Sequence, residues 1–130
     1  RQLVEFLDAK NKTICLPTVI NQKQPLIFKP WRPGKKMVIG HYGISVPDND
    51  QSLIPDLIIC PLLAYDSKGM RLGYGGGFYD RTIKYFRKNK QVKYIGLAFS
   101  GQKSYHDLPS EVHDVPLDAV LTETGMDYFQ

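Results

Sequence analysis

Cysteine is scarce in this chain: Cys15 and Cys60 are the two among 130 residues. They form no pair at metal-ligand spacing, and His41, His106 and His113 do not supply one either, which excludes a structural zinc module. Each cysteine lies in or beside an apolar stretch. Both therefore read as reduced core residues of a cytoplasmic protein rather than as a disulfide. Long apolar runs are missing too. None approaches the ~18 residues that cross a bilayer, so no membrane partner is expected. Residues 1–8 lack the apolar centre of a signal peptide. There is no internal repeat or low-complexity tract, and 130 residues correspond to one domain, residues 1–130, with a modest core. Acidic residues are absent from 81–93, where six basic ones gather. That stretch has two readings: a solvated helix end favoured by the helix dipole, or an anion-binding face. The aromatic pattern of an RNA-recognition module is lacking, so nucleic acid is not an expected partner.

What the chain does have is glycine, concentrated in one place. Arg71-Leu72-Gly73-Tyr74-Gly75-Gly76-Gly77-Phe78-Tyr79-Asp80-Arg81 holds four glycines in five positions. The apolar run at 57–63 before it reads as a strand covered on both faces. Tyr79, Ile83 and Phe86 after it fall on one face of a helix, predicted over 79–88. Strand, glycine loop and helix together aim backbone N–H groups at an anion, and the helix start adds its dipole. The Walker pattern is excluded because no lysine follows the glycines. The dinucleotide pattern is excluded because Phe78 stands at the third glycine position and no acid lies about 20 residues on. Arg71 adds a guanidinium suited to phosphate. Asp80 either complements the dipole or holds Mg²⁺ beside the phosphates. The site predicted is a phosphate site, with ATP as the expected ligand. Asp66, at the end of the same apolar run, either acts in the site or bonds nearby backbone N–H groups in a turn.

Around this block, strands are expected at 13–20, 25–31, 92–99 and 119–122, with irregular loops at 37–47 and 100–113. Gly96 inside a strand marks a close approach by backbone or ligand. Alternating strands and helices give an α/β layered fold, with ligands expected outside the carboxyl ends of the strands. Phe99-Ser100-Gly101 does not complete a hydrolase elbow, since residue 98 is alanine. Trp31 reads as a core cap or as a stacking partner for a flat ring.

The glycine block, Tyr65-Asp66, Gly96-Leu97-Ala98-Phe99 with Gln102, His113-Asp114 and Leu121-Thr122-Glu123 occur in an order that resembles the 5-formyltetrahydrofolate cyclo-ligase (methenyltetrahydrofolate synthetase) family. The resemblance runs from Thr13 onward. It implies a three-layer α/β/α sandwich around a mostly parallel, Rossmann-like sheet, and ATP- and Mg²⁺-dependent closure of 5-formyltetrahydrofolate to 5,10-methenyltetrahydrofolate. Carried over by position, Arg71, Leu72, Gly73, Tyr74, Gly75, Gly76, Gly77, Phe78 and Tyr79 are the implied ATP segment. Tyr74, Gly75, Gly76, Gly77 and Phe78 also line the folate side, Arg71 and Tyr79 are the catalytic pair, and Asp80 and Asp114 are the metal ligands. The partners implied are ATP and a reduced folate, with a polyglutamate tail as the candidate for the basic face, on a monomer or weak dimer. The chain departs from the family pattern at Phe78, where tyrosine is usual, and at Val46, where many bacterial members carry glutamate. It also starts without the N-terminal part of the family, with Leu3, Phe6 and Leu7 reading as the end of a helix already under way, so a truncated protein is expected.

Overall fold

The computed structural model describes residues 2–88, 91–109 and 115–129. The chain divides into two compact units, residues 1–55 and 56–130.

The first unit opens with helix α1 (Gln2–Ala9) and continues into an antiparallel pair, β1 (Ile14–Thr18) and β2 (Ile27–Trp31). Pro17 is tolerated inside β1, paired with Phe28. Residues 37–47 are not an irregular loop. They form a hairpin, β3 (Met37–Ile39) and β4 (Ser45–Pro47), with Val38 opposite Val46. The tip is closed by Gly40 N–H donating to the Ile44 carbonyl at 2.8 Å, with Tyr42 and Gly43 both left-handed. Val46 is buried and packs against Gly40, where an added Cβ would meet its Cγ2 at 3.1 Å. An apolar side chain at this position is thus accounted for by burial.

The second unit holds the glycine block. Its main sheet has the order β10-β9-β8-β5. Strands β5 (Leu57–Cys60), β8 (Lys93–Leu97) and β9 (Ala119–Thr122) are parallel, and β10 (Gly125–Tyr128) returns antiparallel on the edge. Between β5 and β8 come a short antiparallel pair, β6 (Ala64–Tyr65) and β7 (Arg71–Leu72), and then helix α2 (Phe78–Phe86). Ile58, Cys60 and Tyr94 share one sheet face, and Ile83 and Phe86 of α2 are buried with them. The Tyr94 hydroxyl donates to the Ile83 carbonyl at 3.5 Å. The run at 57–63 differs from expectation. It leaves the strand at Cys60, and its burial alternates, with Leu57 and Ile59 exposed among the described residues.

Gly96 is where the core is tightest. An added Cβ would lie 2.7 Å from Leu62 Cδ2, 3.0 Å from Leu117 Cδ1 and 3.2 Å from Val120 Cγ2. Close approach is therefore made by three side chains of the core. Gly96→Ala is expected to destabilise by about 1–3 kcal/mol through overpacking. Urea denaturation checks this, and a midpoint equal to that of the parent chain would show that the three side chains give way freely.

Candidate functional site

The site grows from the way β5 ends. Pro61 follows Cys60, the strand stops, and the carbonyls of 61, 62 and 63 are satisfied by side chains rather than by a sheet neighbour. Arg71 donates to the Pro61 carbonyl twice, from Nε at 3.1 Å and from Nη2 at 2.8 Å. The Tyr74 hydroxyl reaches the Leu62 carbonyl at 3.4 Å. Gln102 Nε2 donates to the carbonyls of Leu62 and Leu63, both at 3.2 Å. Backbone acceptors left over at a strand end demand partners, and here β7, the glycine loop and the turn after β8 supply them.

Arg71 sits at the start of β7, not in the loop. Its side chain is 5% exposed, and Nη1 pairs with Asp80 Oδ1 at 3.0 Å. Three of the five guanidinium hydrogens are thereby used within the protein. Its charge also lies 5.8 Å from the Tyr79 ring centre. Arg71, Tyr79 and Asp80 are thus brought together. Asp80 is largely exposed, so one face of its carboxylate remains open to solvent.

The glycines make room for two guanidinium groups. A Cβ on Gly73 would lie 2.8 Å from Arg71 Nη2, and one on Gly77 2.7 Å from Arg81 Nη1. Arg81 also donates to the Gly76 carbonyl at 3.1 Å and lies 4.9 Å from the Phe78 ring centre. Gly77 caps α2 in the left-handed conformation with φ 71°, so the helix starts without a side-chain cap. Positive charge and an uncapped helix start therefore flank the loop, an arrangement that favours an anion.

Beside it lies a cavity of about 570 Å³ outside the carboxyl ends of β5 and β8. Its floor is the end of β5, residues 59–62, and its walls include Tyr74, Tyr79, Leu97, Phe99 and Gln102. The volume suits a small-molecule ligand. Burial pushes the Tyr79 phenol up to about 12, against the lowering effect of Arg71, so Tyr79 is neutral at neutral pH. Burial also pushes the Cys60 thiol up to about 12. Both groups bind a proton more tightly folded than unfolded, so their contribution to stability is complete below the unfolded values of 9.0 and 10.0 and is lost as pH rises towards 12. The expected result is a stability that falls steadily above about pH 9, read by urea midpoints across pH 8–11. A flat profile there would contradict the burial of these two groups.

Asp66 is 1% exposed, and its carboxylate serves the turn. Oδ1 accepts from the N–H groups of Lys68 and Met70 at 2.9 and 3.0 Å, and Oδ2 from Leu108 N–H at 2.9 Å. Gln102 and Glu123 had no chemical signature in the sequence beyond their place in a family pattern. Glu123 accepts from Ser100 N–H at 2.7 Å and from its hydroxyl at 2.8 Å, and these bonds hold its carboxyl below the usual range. Among the described residues no group of three or more His, Cys, Asp or Glu side chains could hold a metal ion. Mg²⁺ needs no such cage, since one or two carboxylates plus substrate phosphates suffice, and the half-open Asp80 fits that mode. His113 and Asp114 lie outside the described residues. No described helix is long and apolar enough to cross a membrane.

An α/β unit with a glycine loop, two guanidinium groups held beside it and a cavity at its strand ends has the features of a class, the α/β proteins with a small-molecule site at the strand ends. Within that class the chain belongs to the 5-formyltetrahydrofolate cyclo-ligase family, whose model matches residues 1–123. It is 39% identical over 127 residues to a 5-formyltetrahydrofolate cyclo-ligase of Haemophilus influenzae, covering 93% of this chain and 67% of the relative. The corresponding protein of Escherichia coli K12 is 36% identical over 126 residues, 92% of this chain and 68% of the relative. A solved 5,10-methenyltetrahydrofolate synthetase of Aquifex aeolicus superposes with a TM-score of 0.75 at 28% identity, over 99% of this chain and 64% of that one. The chain thus spans about two thirds of the length of these relatives.

Proposed function

We propose that this chain carries the ATP- and folate-handling part of a 5-formyltetrahydrofolate cyclo-ligase. The observation that carries the reading is that Tyr74 of the glycine loop and Tyr79 of the helix start line the cavity at the ends of β5 and β8, while the Arg71–Asp80 pair and the Arg81 guanidinium hold the loop beside it. In the reaction, the formyl oxygen of 5-formyltetrahydrofolate attacks the γ-phosphate of ATP and ADP leaves. The second folate nitrogen then attacks the activated carbon and phosphate departs, giving 5,10-methenyltetrahydrofolate. An amide oxygen is a poor leaving group and its phosphate ester a good one, so the protein's work is positioning and charge neutralisation.

Arg71, with Leu72 to Tyr79, faces the nucleotide, and Tyr74 to Phe78 the folate. Asp80 and Asp114 would hold Mg²⁺, which would supply charge neutralisation at the phosphates. Tyr79, neutral at pH 7, serves as a hydrogen-bonding and ring contact. The exposed Lys84, Arg87 and Lys88 at the end of α2 receive a polyglutamate tail; reversing their charge should weaken binding of polyglutamylated but not monoglutamylated substrate. The three-layer sandwich would put its other layer on the second sheet face, where Leu121 of β9 is exposed beside the cavity-lining Leu97. A cytoplasmic monomer or weak dimer suits the two free thiols.

The test is methenyltetrahydrofolate formation followed by near-ultraviolet absorbance, with and without ATP and Mg²⁺. It is run on this chain and on a fusion that adds the remaining third of the Haemophilus influenzae relative. Turnover that needs both ATP and Mg²⁺ supports the reading. ATP binding without turnover in either protein would instead make the chain a non-catalytic binding homologue.

A further inference from the structure

The turn after β8 is short, polar and largely exposed, yet it supplies Phe99 and Gln102 to the cavity. A turn in water needs a tether if it is to shape a binding site. Gln102 provides one through three bonds. Its Oε1 accepts from Phe99 N–H at 2.7 Å, and its Nε2 donates to the carbonyls of Leu62 and Leu63. The pattern fixes the orientation of the amide. Turned over, it would set NH₂ against an N–H and oxygen against two carbonyl oxygens, so every contact would be repulsive.

The consequence is geometric. Leu62 and Phe99 belong to segments that leave two neighbouring parallel strands, and the sheet ladder between those strands pairs Cys60 with Gly96 as its last register. Beyond that register the two segments meet by backbone again only at the Tyr65–Lys103 bridge, where Ser104 N–H donates to the Tyr65 carbonyl at 2.6 Å. Gln102 continues the connection by side chain, at the point where the cavity begins. Phe99 is 72% exposed and Tyr74 69% exposed, both on the cavity wall. Tyr74 is anchored to the same Leu62 carbonyl that Gln102 holds. Two aromatic faces are therefore referred to one backbone atom. Faces of this kind take a planar heteroaromatic ring, which either the pterin or the adenine of the proposed substrates supplies.

We propose that Gln102 is a positioning residue of the binding site: it fixes the Phe99 turn to the end of β5 and so sets the aromatic walls that receive a planar ring. The assignment of substrates rests on the proposed cyclo-ligase function, whereas the tether itself does not.

The test uses Gln102→Met, which keeps the volume and loses all three bonds, and Gln102→Glu, which keeps the acceptor for Phe99 N–H and loses both donors. Deuterium uptake over 97–103 is measured first, with no ligand. Uptake there should quicken in Gln102→Met while β9 remains as protected as in the parent. Calorimetric titrations with 5-formyltetrahydrofolate and with ATP, and KM and kcat where turnover is present, follow on the same proteins. Affinity for one of the two ligands is expected to fall about tenfold or more in both variants, with kcat changed less than KM, as expected when hydrogen bonds that shape a binding wall are lost. The ligand affected identifies the ring held between the walls. Unchanged uptake over 97–103 overturns the proposal, and so does faster uptake with both affinities intact. Should one variant fail to fold, the other decides by the same criteria. If the parent chain and its fusion bind neither ligand, the cyclo-ligase reading fails, and the uptake measurement still decides whether Gln102 holds the turn.

Discussion

Replacing Arg71 with methionine is expected to abolish folate cyclisation, lowering turnover by roughly a hundredfold or more, the scale set by misplacing a reacting group by about 1 Å. The reason is not charge alone. Arg71 is 5% exposed and joins three segments: the end of β5 through the Pro61 carbonyl, β7 through its own backbone, and α2 through Asp80. Methionine fills much of the stem but leaves that carbonyl without a donor, at a cost of about 1–3 kcal/mol. Lysine is the informative companion. One ammonium cannot present the planar fork that reaches Pro61 and Asp80 together, so Arg71→Lys should recover part of the stability and little of the activity. The pair is read by thermal unfolding alongside the absorbance assay. Activity within threefold of the parent in Arg71→Met would mean that the site does not hang on this clasp.

The largest effect on stability is expected at Asp66. Its carboxylate accepts from three backbone N–H groups, those of Lys68, Met70 and Leu108, from a position 1% exposed. Asp66→Ala removes all three acceptor contacts. At about 1–3 kcal/mol for each stranded donor, a loss of about 3 kcal/mol or more follows. Asp66→Asn is a finer probe. Its carbonyl can still serve Lys68 and Met70, but its NH₂ then faces Leu108 N–H, donor against donor. An intermediate loss is expected, read from urea midpoints. Since Met70 directly precedes Arg71, the same substitutions should weaken ATP binding even at temperatures where the protein stays folded. An Asp66→Ala protein as stable as its parent would show that water can replace the carboxylate, and the turn would not be the anchor described.

Much of the second unit was legible because its signals are local. The apolar runs before and after the glycine block are β5 and β8, Ala119–Thr122 is β9, and Tyr79, Ile83 and Phe86 mark one face of α2. Gly96 announced a close approach by backbone or ligand, whereas core side chains make it. The first unit's hairpin at 37–47 was hidden because Gly40 and Gly43 read as breakers, whereas the pairing of Val38 with Val46 turns them into its tip. Strand β10 was hidden for another reason. Its four residues are all exposed and carry no alternation, so only the ladder to β9 defines them. Within the candidate site, the glycine loop, Arg71 and Asp80 were singled out from residue type. What residue type could not show is that Arg71 spends most of its donors inside the protein, or that a glutamine in a polar turn completes the wall. Both follow from carbonyl groups left over where a strand stops, a property of the chain path.

The three carbonyls after Cys60 also bear on time. Their donors arrive from well down the chain, and the longest link, between Leu62 and Gln102, joins residues 40 apart. Closing such a link is slow compared with forming a helix or a neighbouring turn. The β5–β8 ladder spans nearly the same separation, since it pairs Cys60 with Gly96, and closure cost grows only slowly with length, so a refolding molecule should regain its sheet and its affinity for ATP or folate together. Stopped-flow circular dichroism set against ligand binding tests this, and a far-ultraviolet signal that recovers well before affinity would show that the cavity assembles in a separate, later event.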